Sequence, residues 1–223
     1  MLRLHLTRSV LGSCSMLLFF YAIAHLPLPT AITLQNTSPL FLMLIGMFWL
    51  HVMPGRSQAL AIGIGFIGVV LLLRPTLAGE QWFVGMLGLL SGLAAAAAQY
   101  NIHELGKAGE PEWRIVFYFS LVSGLFALVW MLLRLEWPVP LTLKNTALLL
   151  GLALFATAGQ YCLTRAFRKG KSLVVASLSY LTVAITSLYG VIFWGDVLPL
   201  TSYVAMGLIA LAGVLSSMRG HRR

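Results

Sequence analysis

The sequence predicts an all-α fold, a polytopic membrane helix bundle, from its composition, the spacing of its charges and the sidedness of its basic residues. The 223-residue chain is 59% hydrophobic and only 9% charged, with a mean hydropathy of +0.90. A soluble domain carries about 25% charged residues, so a single water-soluble core would not hold this much apolar surface. The same composition excludes disordered, collagen-like and disulfide-rich classes of protein.

The charged residues are segregated from long apolar segments. A helix needs about 17–25 apolar residues to cross the hydrocarbon core of a membrane. All fifteen Lys and Arg and all six Asp and Glu lie outside eight windows of this length. A charge at the centre of a membrane helix costs about 3 kcal/mol, which explains the segregation. We therefore predict eight transmembrane helices, within residues 9–26, 31–50, 57–73, 82–102, 115–133, 145–164, 172–194 and 201–218.

The basic residues divide unequally between the two predicted sides of the membrane. If the N-terminus is cytoplasmic, twelve Lys and Arg lie on inside segments and three on outside loops. This positive-inside asymmetry predicts a multi-pass protein of the plasma membrane, in a bacterium the inner membrane, with both termini cytoplasmic. The net charge of +9 then reflects topology and contact with the lipid bilayer, and no nucleic-acid partner is expected. The inside residues are Arg3, Arg8, Arg56, Lys107, Arg114, Arg165, Arg168, Lys169, Lys171, Arg219, Arg222 and Arg223.

An internal repeat reverses its orientation along the chain. One constant shift aligns Phe48-Trp49 with Phe193-Trp194, Pro54 with Pro199, and Gly68-Val69 with Gly213-Val214. The copies are an odd number of predicted helices apart, so they must be inverted, as is typical of secondary transporters. We expect a first repeat of three helices in residues 1–75 and a second of five in 82–218. Two helices of the first repeat are therefore expected before Met1. An old duplication in a protein that transports nothing is the alternative.

Segments along nearly the whole chain resemble EamA-type transporters of the drug/metabolite transporter superfamily. The segments that carry the resemblance are Arg8-Ser9, 17–22, 25–28, Thr37–Phe41, 65–69, Arg114–Ser120, Gly159–Phe167 and Gly195-Asp196. The resemblance implies two inverted repeats of five helices around a central cavity that carries small metabolites, amino acids or drugs. The chain departs from the family pattern in lacking the first two helices. It also has Val52 near the usual position of an acidic residue and Thr30 where many relatives carry Glu.

We expect an exporter or permease that works by alternating access. A truncated, non-transporting membrane remnant, or a structural or assembly partner, is the alternative. The partners expected are the lipid bilayer, a small-molecule substrate and, as a further candidate, a second copy of the chain in a homodimer.

Polar side chains at mid-membrane depth are candidates for the substrate path, because they replace part of a substrate's hydration. Pro39 predicts a kink in its helix, since proline lacks a backbone donor. Ser179, Thr182 and Thr186 recur at helical spacing on one face. Helix packing through hydroxyl groups is the alternative for such a row. The candidate residues are Gln35, Asn36, Pro39, Gln99, Gln160, Thr164, Ser179, Tyr180, Thr182 and Thr186.

The sequence does not support proton coupling through a central acid, metal binding, catalysis or dinucleotide binding. No carboxylate lies within a predicted span, so a proton-coupled mechanism with a central acid is not supported. The sequence shows no metal-ligand set, and we expect no metal, no cofactor and no enzymatic activity. Residues 63–68 match the dinucleotide-binding pattern GxGxxG, but they lie inside an apolar span with no preceding strand. Their glycines are predicted to allow close helix contact, as are Gly88 and Gly92.

Overall fold

The structure is a computed structural model that describes residues 1–49, 60, 63–65, 67–68, 71, 81–134, 142–170, 175, 182, 185, 189–195 and 199–218. Every regular element in these ranges is helical, which confirms the all-α fold class. The elements are α1 (Leu2–His25), α2 (Leu28–Gln35), α3 (Ser38–Trp49), α4 (Gln81–Lys107), α5 (Glu112–Arg134), α6 (Leu143–Lys169), a π-helix (Gly190–Trp194) and α7 (Leu200–Met218).

Four of the described helices are long and apolar enough to cross a membrane. These spans are Leu2–His25, Gln81–Lys107, Glu112–Leu133 and Leu143–Lys169, and Leu200–Ala212 is a shorter apolar helix. Residues 57–73 and 172–194 are described only in part, so the predicted count of eight spans and the inverted repeat stay predictions. A membrane bundle of several apolar helices is nevertheless what the chain forms.

The span predicted at 31–50 is divided into two helices rather than being one kinked helix. Helix α2 ends at Gln35, and α3 begins at Ser38 with Pro39 in its first turn. Pro39 has no backbone N–H with which to continue the ladder of α2, and proline is well tolerated at the start of a new helix. The Thr37 side chain donates a hydrogen bond to the carbonyl of Leu34 at 2.6 Å. The prediction of a single helix was therefore wrong, although Pro39 did mark the break.

Helix α4 packs closely against the broken α2–α3 pair because it presents glycine at the contact. A Cβ atom on Gly92 would lie 2.6 Å from Thr37 Oγ1 and 2.8 Å from the carbonyl oxygen of Leu34. A Cβ atom on Gly88 would lie 3.0 Å from Leu34 Cδ1. The prediction that these two glycines allow close helix contact is confirmed.

The glycines of the GxGxxG match also lie against neighbouring helices. A Cβ atom on Gly68 would meet Ile209 Cγ1 at 2.7 Å, and one on Gly65 would collide with the side chain of Leu40. A Cβ atom on Gly63 would have no neighbour within 4 Å among the described residues. The predicted packing role is therefore confirmed for Gly65 and Gly68 and stays a prediction for Gly63.

A set of charged side chains joins the start of α1, the α4–α5 connection and the end of α6 at one end of the bundle. We call it the charged cluster: His5, Glu110, Glu112, Arg114, Arg168 and Lys169. Arg168 NH1 lies 2.9 Å from Glu112 Oε1, and His5 Nε2 lies 3.5 Å from Glu110 Oε2. These contacts show that three segments distant in sequence meet at the same end.

Candidate functional site

A cavity of about 470 Å³ lies where the α2–α3 break faces the other helices. Its wall is formed by α1, both sides of the break, α4, α5, α6 and Thr182. A volume of this size suits a small molecule, since ligand sites commonly measure about 300–1,000 Å³. The cavity therefore has the dimensions of a metabolite site.

Five of the ten sequence-predicted residues line this cavity. Gln35, Asn36, Gln99, Gln160 and Thr182 come from four separate parts of the chain and meet at its wall. That they contact a substrate stays a prediction.

The other predicted residues are not brought to the cavity wall among the described residues. Pro39 is buried one position beyond the lining residue Ser38. Thr164 is fully buried on α6, one turn beyond Gln160. Ser179, Tyr180 and Thr186 lie outside the described residues.

The polar groups beside the break are held by hydrogen bonds. The Asn36 side-chain amide donates to the Ile32 carbonyl at 3.0 Å. The Gln99 amide lies 3.4 Å from Ser38 Oγ, and its buried Oε1 atom has no hydrogen-bond partner among the described residues. Since the two ends of an amide are assigned from the surrounding network, Gln99 can present either a donor or an acceptor to a ligand. The break therefore offers unused polar capacity to a molecule in the cavity.

Ser15 on α1 also lines the cavity, and its hydroxyl ties α1 to α4. Ser15 Oγ donates a hydrogen bond to the Ser91 carbonyl at 2.9 Å. Nearer the start of α1, Ser13 Oγ and Ser123 Oγ lie 2.7 Å apart and join α1 to α5. These serines fix α1, so the position of its cavity-lining side chains is set by neighbouring helices.

Arg8 is a functional candidate that the sequence reasoning missed. It was counted among the basic residues of the predicted cytoplasmic segments. The structure places it within α1, where it lines the cavity and is only 3% exposed. Its NH2 atom lies 3.3 Å from Gln160 Oε1, which is long for a hydrogen bond from a charged donor. Its guanidinium carbon lies 4.0 Å from the centre of the Phe119 ring. The interpretation of Arg8 as a topology signal alone is therefore wrong.

The helical spacing of α1 contained a signal for this placement. His5, Arg8, Gly12 and Ser15 recur three or four residues apart and form a polar face on one side of a helix. The first predicted span, 9–26, contains no charged residue by definition. It therefore began after Arg8, which the structure places inside α1. Membrane arginines that face a bundle interior are costly and mark binding or transport sites.

The rest of the cavity wall is mainly apolar and aromatic. Phe19, Phe20, Ile102, Phe119 and Leu163 contribute to it. Arg8 is the one charged side chain among the described residues of the wall. The arrangement suits a small organic molecule with an apolar body and a polar or charged end.

A family of transport proteins matches this chain over two long ranges. The model of the EamA-like transporter family matches residues 2–74 and 82–218. Together these ranges cover the helices described above, apart from Gln81 at the start of α4.

Several curated proteins are similar to the chain over most of its length. The Pseudopaline exporter CntI of Pseudomonas aeruginosa is 31% identical over 214 residues, which cover 96% of this chain and 74% of that protein. A riboflavin transporter of Rhizobium johnstonii is 29% identical, with 86% of this chain and 62% of that protein covered. The human protein named solute carrier family 35 member G1 is 27% identical, with 85% of this chain and 55% of that protein covered.

A solved structure shares the fold. A chain described only as "Crystal structure of protein" superposes with a TM-score of 0.66 and 16% sequence identity, over 98% of this chain and 76% of the other. At this identity the likeness concerns the fold alone.

Proposed function

The chain belongs to the EamA-like transporter family and is a membrane transporter of small molecules, and we propose that it carries its substrate through the cavity at the α2–α3 break by alternating access. The observation that carries this proposal is the composition of the wall. Helices α1–α3, from the first predicted repeat, and α4–α6, from the second, both contribute to it. Substrate sites of repeat-built transporters lie between the repeats, at helices that are interrupted there.

We propose outward transport, with both termini in the cytoplasm of a bacterial cell. The name of the Pseudomonas relative describes an exporter, which supports this direction. The charged cluster joins the first turn of α1 to the α4–α5 connection and the end of α6, all of which the positive-inside count assigns to the inside. Exposed apolar residues on α6, among them Leu154 and Phe155, suit contact with lipid.

We further propose that the full arrangement has eight spans in two inverted repeats of three and five helices. The interruption between α2 and α3 resembles the broken helices of inverted-repeat transporters. The family match falls on two ranges, 2–74 and 82–218, which supports a chain of two similar parts.

Transport can be measured with a mixture of candidate substrates. Proteoliposomes containing the purified protein are incubated with a ¹³C-labelled extract of small metabolites, and the labelled compounds retained after gel filtration are identified by mass spectrometry. We expect at least one compound to be enriched over protein-free vesicles. No enrichment would contradict transport and would favour the non-transporting alternative.

Substitutions in the wall test whether the cavity is the path. Ala95 lines the cavity on α4, so Ala95→Trp should fill it and reduce uptake at least about tenfold. Asn36→Ala and Gln160→Ala should change uptake while the amount of protein in the membrane stays the same. The matched control is Ala153→Trp, which adds the same side chain to an exposed face of α6. Equal uptake by the wild type and the three wall variants would rule out this cavity as the path.

A further inference from the structure

Arg8 is a buried cation whose charge no acidic side chain balances among the described residues. Its Nε and NH1 atoms are buried without hydrogen-bond partners, and NH2 has a single long contact to a neutral amide. A buried charge is normally paired and hydrogen-bonded, because removal of its water is costly. The two unused donors are therefore a feature of the cavity that the fold itself does not explain.

The carboxylates that the structure describes are committed elsewhere. Glu104 pairs with Lys107, Glu110 with Arg114 and His5, and Glu112 with Arg168 and Lys169. These pairs lie at the end of the bundle, whereas Arg8 faces the cavity between α1 and α6. A ligand is thus the remaining source of negative charge for Arg8 within the described part of the molecule.

We propose that Arg8 binds an anionic oxygen group, a carboxylate or a phosphate, on the small metabolite that occupies this cavity. The proposal rests on the proposed function, since it names the substrate class of that site. A guanidinium presents a planar fork of donors that matches the paired oxygens of both groups. Nε and NH1 are donors that no described protein group engages, and NH2, which completes a fork with either of them, has only the long contact to Gln160.

The aromatic part of the same wall fits the body of an organic anion. Phe19, Phe20 and Phe119 offer apolar contact to the body of the molecule. We therefore expect an amphipathic anion, with its charged end at Arg8.

The Phe119 ring explains how Arg8 is kept in place without an acid. The guanidinium lies over the ring face, where the negative quadrupole attracts a cation. Gly12 leaves room for it, since a Cβ atom there would lie 2.7 Å from Arg8 NH1. The ring holds the cation by its face and leaves Nε and NH1 at the edge of the guanidinium without a hydrogen-bond partner among the described residues.

Binding can be tested with four compounds that share a six-membered ring and differ in the attached group. Benzoate, phenyl phosphate, benzyl alcohol and benzylamine are added to the purified chain in lipid nanodiscs at pH 7, and the melting temperature is followed. A ligand that binds the folded state raises it. We expect benzoate or phenyl phosphate to bind at least tenfold more tightly than the alcohol and the amine. Which of the two anions binds more tightly shows whether the site prefers a carboxylate or a phosphate. Equal or stronger binding of the alcohol or amine, or no binding of either anion, would overturn the proposal.

Variants of Arg8 test the residue itself. Arg8→Gln should weaken binding of the preferred anion at least tenfold, and Arg8→Lys, which keeps the charge but loses the fork, should weaken it less. Arg3→Gln is the matched control, because Arg3 is exposed on the same helix. Unchanged anion affinity in Arg8→Gln would overturn the proposal. If Arg8→Gln does not fold, the preference of the wild type for anions and the anion affinity of Arg8→Lys still test the proposal.

The ligand-free melting temperature separates binding from a structural role. A residue that only held α1 to α6 would lower the melting temperature when replaced. We expect Arg8→Gln to leave it unchanged or raise it, because an unbalanced buried charge is removed. A lower melting temperature with unchanged anion affinity would show that Arg8 is structural and would overturn the proposal.

Failure of this proposal is distinguishable from failure of the proposed function. Anion binding without uptake by vesicles would contradict transport and leave the Arg8 site standing. Uptake of neutral or cationic compounds without anion binding would contradict the Arg8 site and leave transport standing.

Discussion

Basic side chains are buried or half-buried at two places in this molecule, and they are held in opposite ways. In the charged cluster, Arg168 NH1 lies 2.9 Å from a carboxylate oxygen of Glu112. In the cavity wall, Arg8 contacts the ring of Phe119 and the amide of Gln160, neither of which carries a charge. The fold supplies the first site with a carboxylate, whereas the described residues supply none to the second. The difference indicates that Arg168 serves structure and that Arg8 serves a ligand.

The two regions are neighbours on the same helix. His5, in the charged cluster, and Arg8, in the cavity wall, are three residues apart on α1 and so lie about one turn from each other. The basic residues therefore change from acidic partners to neutral partners within about one turn. The acids of the cluster are paired with bases other than Arg8.

The largest expected effect comes from removal of the acid at the centre of the charged cluster. Glu112→Gln leaves Arg168 and Lys169 without their carboxylate, so it should lower the free energy of unfolding. Unfolding in nanodiscs measures this change. The affinity for the preferred anion should stay within about twofold, because Arg8 is not altered.

The comparison is sharpest against Arg8→Gln, which should leave stability unchanged and weaken binding. If Glu112→Gln instead lowered anion affinity as strongly as Arg8→Gln and left stability unchanged, the assignment of the two regions would have to be exchanged.

A second substitution would make the cavity wall resemble the charged cluster. Gln160→Glu places a carboxylate beside Arg8, where Gln160 Oε1 now lies 3.3 Å from NH2. An internal carboxylate held this close competes with a bound anion, so affinity should fall at least about tenfold, or about 1.4 kcal/mol. The melting temperature without ligand should rise, because Arg8 gains a partner. The anion affinity and the ligand-free melting temperature are both obtained from one thermal titration with benzoate and phenyl phosphate.

Gln160→Met is the matched control, since it removes the amide without adding a charge. It should cost less anion affinity than Gln160→Glu. Equal losses in the two variants would mean that the amide contact, and not competition for the Arg8 charge, controls binding.

The fold could be predicted from the sequence because the bilayer imposes a simple rule on where charges lie. The segregation of charges indicated α1, α4, α5 and α6, and Pro39 marked the break between α2 and α3. The break itself was not foreseen, because a proline is compatible with either a kink or a new helix start. The side-chain bond from Thr37 to the Leu34 carbonyl helps to satisfy the end of α2, and the sequence alone does not reveal it.

The cavity was harder to predict than the fold. Gln35, Asn36, Gln99 and Gln160 could be chosen from their polarity within apolar spans, and the structure brings them to one wall. Arg8 was missed because its environment comes from helices far away in the sequence. Its contact with Gln160 spans 152 positions. Local patterns do not show whether a residue at a helix end faces water or a cavity.

The smallest expected effect tests whether burial, rather than pairing alone, makes the charged cluster important. Glu104 and Lys107 also form a pair, at 2.9 Å, but their side chains are 30% and 59% exposed. Because water screens both charges, Glu104→Gln should change the free energy of unfolding by less than about 0.5 kcal/mol, and added salt should remove even that. The free energies of unfolding of Glu104→Gln and Glu112→Gln, each measured at low and high ionic strength, give the comparison. A loss from Glu104→Gln as large as that from Glu112→Gln would mean that the number of ion pairs, and not their burial, stabilises this end of the bundle.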